Sequence, residues 1–447
     1  MSKLSAKLQR LSLGANPTVR GETTCEAARS DAVRTYPKLQ DDGAHGGVEG
    51  SQAIERLRQQ MAEIMGKAAL APPSRVWQGD SHLPFVERET LQGPLWVRFW
   101  EAPHGHFVGR GDITAAYDCN MRMLALLALD PSLESLDPAK ALYLDTETTG
   151  LSGGTGTLPF LIGLGYFREN GRFCVEQLML RHLGQEQAML GRIAELWREA
   201  SMLVTYNGKS FDVPLIRTRN VMCQLPELQT LPHLDLLHVA RRIHKARLVH
   251  CDLAHVEARV LGFERKGDVV AAEIPSRYFH YLRTGDDQGL GPVVQHNLWD
   301  IVTMAALVGL YGNPLEHLLH GEDLAGAAMT THRAQRKGAA TETTQLITIR
   351  LADEAVARAG GVVARKARAA IAKSLGRKDA ALADFESVAQ NVDDPLVRLE
   401  LAKLYEHHAK SYDKALAMVR LGVAEDETAS HHRMARIERK LERKPVC

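Results

Sequence analysis

The chain has 447 residues, of which 45% are hydrophobic and 24% are charged, and its formal net charge is +1. This length allows two to four domains, and the composition is that of a globular protein with a sizeable core. A charge this close to zero excludes binding of nucleic acid through the overall charge, so any such binding requires a local basic patch.

No uninterrupted run of eighteen apolar residues occurs, so we expect no membrane span. The first sixteen residues lack the continuous apolar stretch of a signal peptide. The six cysteines are scattered without the regular spacing of a disulfide framework. These observations predict a cytoplasmic protein with free thiols.

The first part of the chain predicts little regular structure. Residues 1–74 are rich in small, polar and charged residues and predict a mostly disordered leader, with a possible helix at 52–67. Residues 75–137 contain a strand pattern at 95–100 and a helical pattern at 115–128. We interpret them as an N-terminal elaboration of the domain that follows.

Residues 138–320 show alternating element patterns. The predicted strands lie at 141–144, 160–167, 173–180 and 202–206, with hairpin residues at 168–171. The predicted helices lie at 186–200, 211–223, 236–243, 254–261, 277–282 and 297–310. Three antiparallel strands followed by a helix, a strand and more helices are the order of an α/β fold with a ribonuclease-H-like mixed sheet flanked by helices.

The C-terminal part has a helical pattern with an internal period. Residues 321–350 are interpreted as a linker, and 351–447 as tetratricopeptide-like helical repeats, an all-α region. The segments 379–383 and 413–417 align at a separation of 34 residues, which is the period of such repeats. Two repeats alone are marginal, so we expect neighbouring helices or the preceding domain to cap them. They offer a surface for a protein partner.

Two acids at the end of a predicted strand are the first candidates for chemistry. Asp145 and Glu147 directly follow a buried apolar run. Because side chains alternate along a strand, both carboxylates point to the same side. Two adjacent carboxylates repel each other, so this pair favours a bound cation.

Three further candidates follow in chain order. Asp212 comes after a predicted strand and opens a helix, where the helix dipole alone would favour an acid. His296 and Asp300 are four residues apart and lie on one face of a predicted helix. Each of these features alone is more often structural, but their order along the chain is distinctive.

The combination of the three motifs resembles the DEDD superfamily of 3′–5′ exonucleases. Within it, the chain is most similar to the YprB-type ribonuclease-H-like proteins, which pair such a domain with tetratricopeptide-like repeats. The match is carried by residues 145–151 and by the glycine-rich stretch 153–160. One departure is that His296 stands at the spacing usually held by tyrosine.

The resemblance implies a metal-dependent exonuclease. Asp145, Glu147, Asp212 and Asp300 would bind two divalent cations, Mg²⁺ or Mn²⁺, since hard oxygen ligands suit these ions. His296 would deprotonate or orient the attacking water. The substrate would be the end of a DNA or RNA strand.

Other interpretations remain open from the sequence. The same fold and metals would also serve a structure-selective endonuclease, and a protein with vestigial acids would be a non-catalytic nucleic-acid-binding scaffold. Asp235 could approach the metals or cap a helix. The group His250, Cys251 and His255 lacks a Cys-x-x-Cys pair, which argues against zinc.

Overall fold

The structure is a computed structural model that describes residues 81–150, 156–318 and 320–443. The predicted leader at 1–74, with its possible helix, lies outside the described residues, as do residues 153–155 of the glycine-rich stretch.

A seven-stranded mixed sheet is the framework of the fold. The strands in chain order are β1 (Val86–Thr90), β2 (Gly93–Glu101), β3 (Phe107–Val108), β4 (Gly111–Asp112), β5 (Ala141–Thr148), β6 (Pro159–Phe167), β7 (Phe173–Met179), β8 (Met202–Thr205) and β9 (His233–Asp235). The large sheet has the order β1-β2-β7-β6-β5-β8-β9, while β3 and β4 pair separately. Strand β5 is antiparallel to β6 and parallel to β8. The predicted mixed sheet is confirmed.

Helices cover the sheet and make up the C-terminal region. They are α1 (Met121–Ala128), α2 (Glu186–Glu199), α3 (Asp212–Met222), α4 (Leu236–His244), α5 (Leu253–Val256), α6 (Ile274–Thr284), α7 (Gly291–Gly312), α8 (Gly321–Ala334), α9 (Glu342–Ala357), α10 (Gly361–Ser374), α11 (Lys378–Ala389), α12 (Pro395–Leu404), α13 (Tyr412–Arg420) and α14 (Glu427–Glu442). Helix α5 continues into a π-helical segment, Glu257–Leu261.

Helix α7 packs very closely on the centre of the sheet. A Cβ atom at Gly163 would lie 2.5 Å from the Asn297 side chain, and one at Gly165 would lie 2.5 Å from that of Ile301. Glycines on β6 are therefore required for this approach. By length and composition the stretch Gln288–Gly312 could cross a membrane, but 78% of its most apolar window is buried inside the protein. It serves as the central core helix.

The two faces of β5 contribute to two different hydrophobic cores. Tyr143 packs in the core that contains α7, whereas Leu142 and Leu144 pack in the core that contains α2 and α6. Strand alternation continues past these residues, so Asp145 and Glu147 share the face of Tyr143. The acids therefore emerge on the side of the sheet that α7 covers.

The segment 321–350 was predicted to be a linker, and that prediction is wrong. It forms α8 and most of α9, which pack against each other. Helix α8 buries small residues and lies so close to α4 that a Cβ at Gly326 would fall 2.2 Å from the Ile243 carbonyl oxygen. Small side chains allow this close packing, but their low hydrophobicity hides the helical pattern in the sequence.

The C-terminal helices α10 to α14 have their own hydrophobic core. Phe385, Leu401 and Leu416 are buried in it. The prediction of an all-α C-terminal region is confirmed, while the assignment to tetratricopeptide repeats stays a prediction.

Candidate metal centre

The end of β5 presents the first two carboxylates. Asp145 and Glu147 lie on either side of Thr146, and the pairing of β5 with β6 shifts register between Glu147 and Thr148. Only 8% of Glu147 is exposed. The end of β5, which α7 covers, therefore carries two acids in a poorly hydrated environment.

A buried amide orients Asp145. The Asn297 Nδ2 atom donates to Asp145 Oδ2 at 2.8 Å, and Gln177 Nε2 in turn donates to Asn297 Oδ1 at 2.8 Å. Both amides are fully buried. Asn297 was not among the residues predicted from the sequence, although its place beside His296 on the same helix was the available signal.

Asp212 lies beside the end of β5 and contacts Thr146. It is the first residue of α3 and is buried. The Thr146 hydroxyl donates a hydrogen bond to its Oδ1 atom. Burial raises the pKa of Asp212 to about 6, although this hydrogen bond opposes the rise. The helix dipole alone would not explain the contact of Asp212 with the strand that carries Asp145 and Glu147.

Helix α7 brings His296 and Asp300 to Glu147. One ligand atom from each of these three residues lies within 4.8 Å of the other two. The His296 Nε2 atom is 3.8 Å from Glu147 Oε1 and 3.6 Å from Asp300 Oδ2. Because His296 and Asp300 are four residues apart, both side chains lie on one face of α7, and that face is turned toward β5.

Asp268 fixes the other side of the imidazole. Its Oδ1 atom lies 2.6 Å from His296 Nδ1. Burial lowers the pKa of His296, but Asp300, Glu147 and the hydrogen bond to Asp268 outweigh burial and raise it above its usual value. The Nδ1 proton is thereby held by Asp268, and Nε2 faces the carboxylates.

Arg265 supplies a permanent positive charge beside Asp300 and His296. Its side chain is 5% exposed, and its guanidinium binds both Asp300 and Glu257. It also lies 3.2 Å from His296 Nδ1. Neither Arg265 nor Asp268 was found from the sequence, since both sit in a loop without a motif.

The carboxylates strongly perturb one another. Burial raises the pKa of Asp145 well above its usual range, and the charges of Asp300, Glu147 and Asp212 raise it further. Burial likewise raises the pKa of Glu147 to about 8, with His296 opposing the rise. Buried acids that disfavour one another's charge are stabilised as anions by a cation. An oxygen-rich set of this kind fits a hard divalent ion.

A cleft of about 250 Å³ opens beside the acids. Its lining includes Asp145, Glu147 and Asp212, while His296 and Asp300 contact Glu147 from α7. The aromatic and aliphatic part of the lining is formed by Tyr206, Phe211, Leu215, Ala271, Ile274 and Pro275. Phe211 is 53% exposed, which is unusual for a large apolar side chain next to buried acids.

Asp235 has a structural role. Its carboxylate accepts the backbone N–H of Leu237 and caps α4, and it also accepts those of Asn207 and Lys209. It thus shapes the loop that leads to Asp212. Within the described ranges, Glu147, His296 and Asp300 form the one His, Cys, Asp or Glu group close enough to hold an ion, so His250, Cys251 and His255 do not form one.

Comparison with known proteins identifies the domain that carries these residues. Residues 142–311 match the RNase_H_2 model of the RNase_H superfamily. The uncharacterized protein YprB of Bacillus subtilis (strain 168) is 31% identical over 319 residues, which span 67% of this chain and 74% of YprB. The chain belongs to the YprB family. All five candidate residues lie inside the matched ribonuclease H domain, and this superfamily membership indicates a nuclease-type activity on nucleic acid.

Proposed function

We propose that the protein is a cytoplasmic, metal-dependent 3′–5′ exonuclease that hydrolyses phosphodiester bonds of DNA or RNA. The observation that carries this proposal is the convergence of Glu147, His296 and Asp300 within 4.8 Å beside Asp145. A strand end and a helix face, far apart in sequence, meet there although like charges oppose the arrangement.

Asp145, Glu147, Asp212 and Asp300 would hold the divalent cations. When bound, two such ions would neutralise the scissile phosphate and make the attacking water more acidic. Asn297 and Thr146 aim the carboxylates, since each donates a hydrogen bond to one of them. This leaves other carboxylate oxygens free for a cation.

His296 would act on the attacking water. With its Nδ1 proton directed at Asp268, the ring turns Nε2 toward the carboxylates, and bound cations would favour the unprotonated form of this nitrogen. This nitrogen can accept a proton as the water attacks phosphorus. Asp268 acts as a positioning residue, because it fixes the ring orientation and the tautomer without facing the cleft.

The cleft suits the last nucleotide of a strand. Phe211 and Tyr206 line it beside Asp212, and an exposed aromatic face can stack on any base. Such a contact would hold a frayed or single-stranded end without reading its sequence. This favours removal of nucleotides from an end over cutting inside a stacked duplex.

The test is cleavage of 5′-labelled DNA and RNA, single- and double-stranded, in Mn²⁺, Mg²⁺ or EDTA. We expect a metal-dependent ladder that shortens from the 3′ end and is absent with Asp145→Asn or Asp300→Asn. A variant outside the site, Arg420→Ala, is the matched control.

Other results would change the assignment. Cuts at internal positions would favour the structure-selective endonuclease. Binding without any cleavage, or cleavage that survives the loss of both acids, would favour the nucleic-acid-binding scaffold.

A further inference from the structure

The C-terminal helices border an open cavity of about 540 Å³ that is lined almost entirely by basic side chains. Its lining residues are Lys373, Lys378, Lys403, Leu404, His407, His408, Arg433 and Arg436. They come from α10, α11, α12 with the turn after it, and α14. We call this the basic cavity. Side chains from four helices between residues 373 and 436 thus direct positive charge into one concave space.

A buried acid organises one wall of the basic cavity. The side chain of Glu406 is fully buried and accepts hydrogen bonds from Arg436 and Lys440 at 2.7 Å each. Arg433 lies 3.5 Å away. Burial opposes the charge, but these partners lower the pKa of Glu406 to about 2. The acid therefore stays ionised and fixes the cations in place.

Positive charge exceeds negative charge around the basic cavity. Five lysines and arginines line the cavity, and Lys440 lies behind them, which makes six basic residues. The acids paired with the lining residues are Asp379, Glu400, Glu406 and Glu425. Within the described part of the chain, Lys378 has no acid within 4 Å. The cavity therefore attracts an anion.

The lining distinguishes among possible anions. Leu404 is the single aliphatic residue in it, and its only rings are the small imidazoles of His407 and His408. An acidic peptide would need apolar subsites for its side chains, and a base would need a broader stacking surface than an imidazole offers. Arginine forks and lysine ammonium groups suit phosphate oxygens. A cavity of this size admits one backbone rather than the two strands of a duplex.

We propose that the basic cavity binds the phosphate backbone of a single nucleic-acid strand, away from the bond that is cut. The inference rests on the proposed function, because it makes the C-terminal helices a second contact for the nuclease's own substrate. It assigns these helices a direct role in substrate binding that does not depend on the nucleotide sequence of the substrate.

The experiment measures binding of the full chain to fluorescent 20-nucleotide DNA and RNA strands by anisotropy, in EDTA and from 50 to 200 mM salt. The variant is Lys378→Ala with Lys403→Ala. Because each single-strand phosphate contact contributes a slope of about −0.7 to log K against log salt, we expect the slope to become shallower by about 1.4. Affinity at 50 mM salt should fall about tenfold or more.

The matched control removes two positive charges outside the cavity. Lys414→Ala with Arg420→Ala changes exposed residues of α13 that each pair with one carboxylate. Its affinity and salt slope should equal those of the wild type. Lys378→Glu alone, at an exposed position, should also weaken binding and guards against misfolding of the double variant. Thermal melts establish that each variant is folded.

Equal binding by the wild type and both cavity variants would overturn the proposal. Displacement of the strand by an acidic peptide at lower concentration than by free nucleic acid would also overturn it, in favour of a protein partner. Because binding is measured without divalent cations, the result does not depend on hydrolysis. A protein that binds through the basic cavity but cuts nothing would refute the proposed function alone.

Discussion

The guanidinium of Arg265 binds two carboxylates, those of Asp300 and Glu257. The Glu257 side chain is only 1% exposed. The candidate metal centre thus has a fixed positive charge on one side. Removal of one partner from a buried ion pair leaves an uncompensated charge, which typically costs about 3–5 kcal/mol. Arg265 therefore links the stability of the domain to the position of a candidate metal ligand.

Arg265→Met is expected to destabilise the metal-free protein by about 3 kcal/mol, because Glu257 and Asp300 lose their counter-charge. Urea unfolding in EDTA measures this change. The double variant Arg265→Met with Glu257→Gln should recover a large part of the lost stability, because the buried side chain at position 257 is then neutral and needs no counter-charge. Full stability of the single variant would contradict the assigned role of Arg265.

Metal-free protein is expected to lose stability as pH rises from about 4.5 to about 8. The pKa of Glu147 is raised in the folded state to about 8, so folding favours its neutral form. Its contribution is fully present below the unfolded pKa and is lost as pH rises through the folded pKa. At 1.36 kcal/mol per pKa unit, the loss is on the order of 5 kcal/mol.

Chemical unfolding in EDTA at a series of pH values measures this loss. Glu147→Gln should flatten the decline. In saturating Mn²⁺ the trend should reverse, because ions bind the deprotonated ligands. A wild-type stability that is flat or rises over this range in EDTA would disprove the predicted pKa shift.

Asp145→Asn and Asp300→Asn are each expected to abolish activity and to weaken the stabilisation by Mn²⁺. In EDTA, Asp145→Asn should melt at or above the wild-type temperature, because it removes a carboxyl group whose ionisation is opposed by three neighbouring acids. Asp300→Asn should melt lower, because Arg265 loses one of its carboxylate partners. In Mn²⁺ the wild type should gain about 2.7 kcal/mol at 100 times the dissociation constant, and the variants should gain much less. Thermal melts with and without Mn²⁺, beside nuclease assays, test this. An undiminished Mn²⁺ effect would remove these acids from the metal set.

His296→Asn is expected to lower kcat by about 10²–10⁴-fold, the range for loss of a general base. Asp268→Asn should cost less, about tenfold, since the ring remains but its orientation is no longer held. The double variant should be no worse than His296→Asn, because Asp268 acts through His296. Mn²⁺ affinity should be retained in all three. A large loss of affinity in His296→Asn would make His296 a ligand instead.

Phe211→Ala is expected to raise KM for single strands by about tenfold or more, since a stacked base contributes about 1–3 kcal/mol. Its effect on kcat and on Mn²⁺ affinity should be small, because Phe211 is an exposed wall residue. Phe211→Trp keeps a stacking face and should restore most of the affinity. Equal KM values for all three proteins would exclude base stacking at this wall.

Local periodicity was enough to predict much of the sheet and part of the site. Strand alternation placed Asp145 and Glu147 on one side of β5, and helical spacing placed His296 and Asp300 on one face of α7. These relations depend only on backbone geometry within one element. They are therefore readable from residues that are close in the chain.

Only the tertiary structure decided which side chains complete the centre. Asn297, Arg265 and Asp268 reach it because α7 crosses the sheet at two glycines and because the loop before α6 folds back over that helix. The basic cavity likewise exists only where α10, α11, α12 and α14 meet. Charge pairing between distant segments depends on how whole helices and strands pack. A local sequence pattern therefore does not reveal which acids Arg265 pairs with or that Asp268 contacts His296.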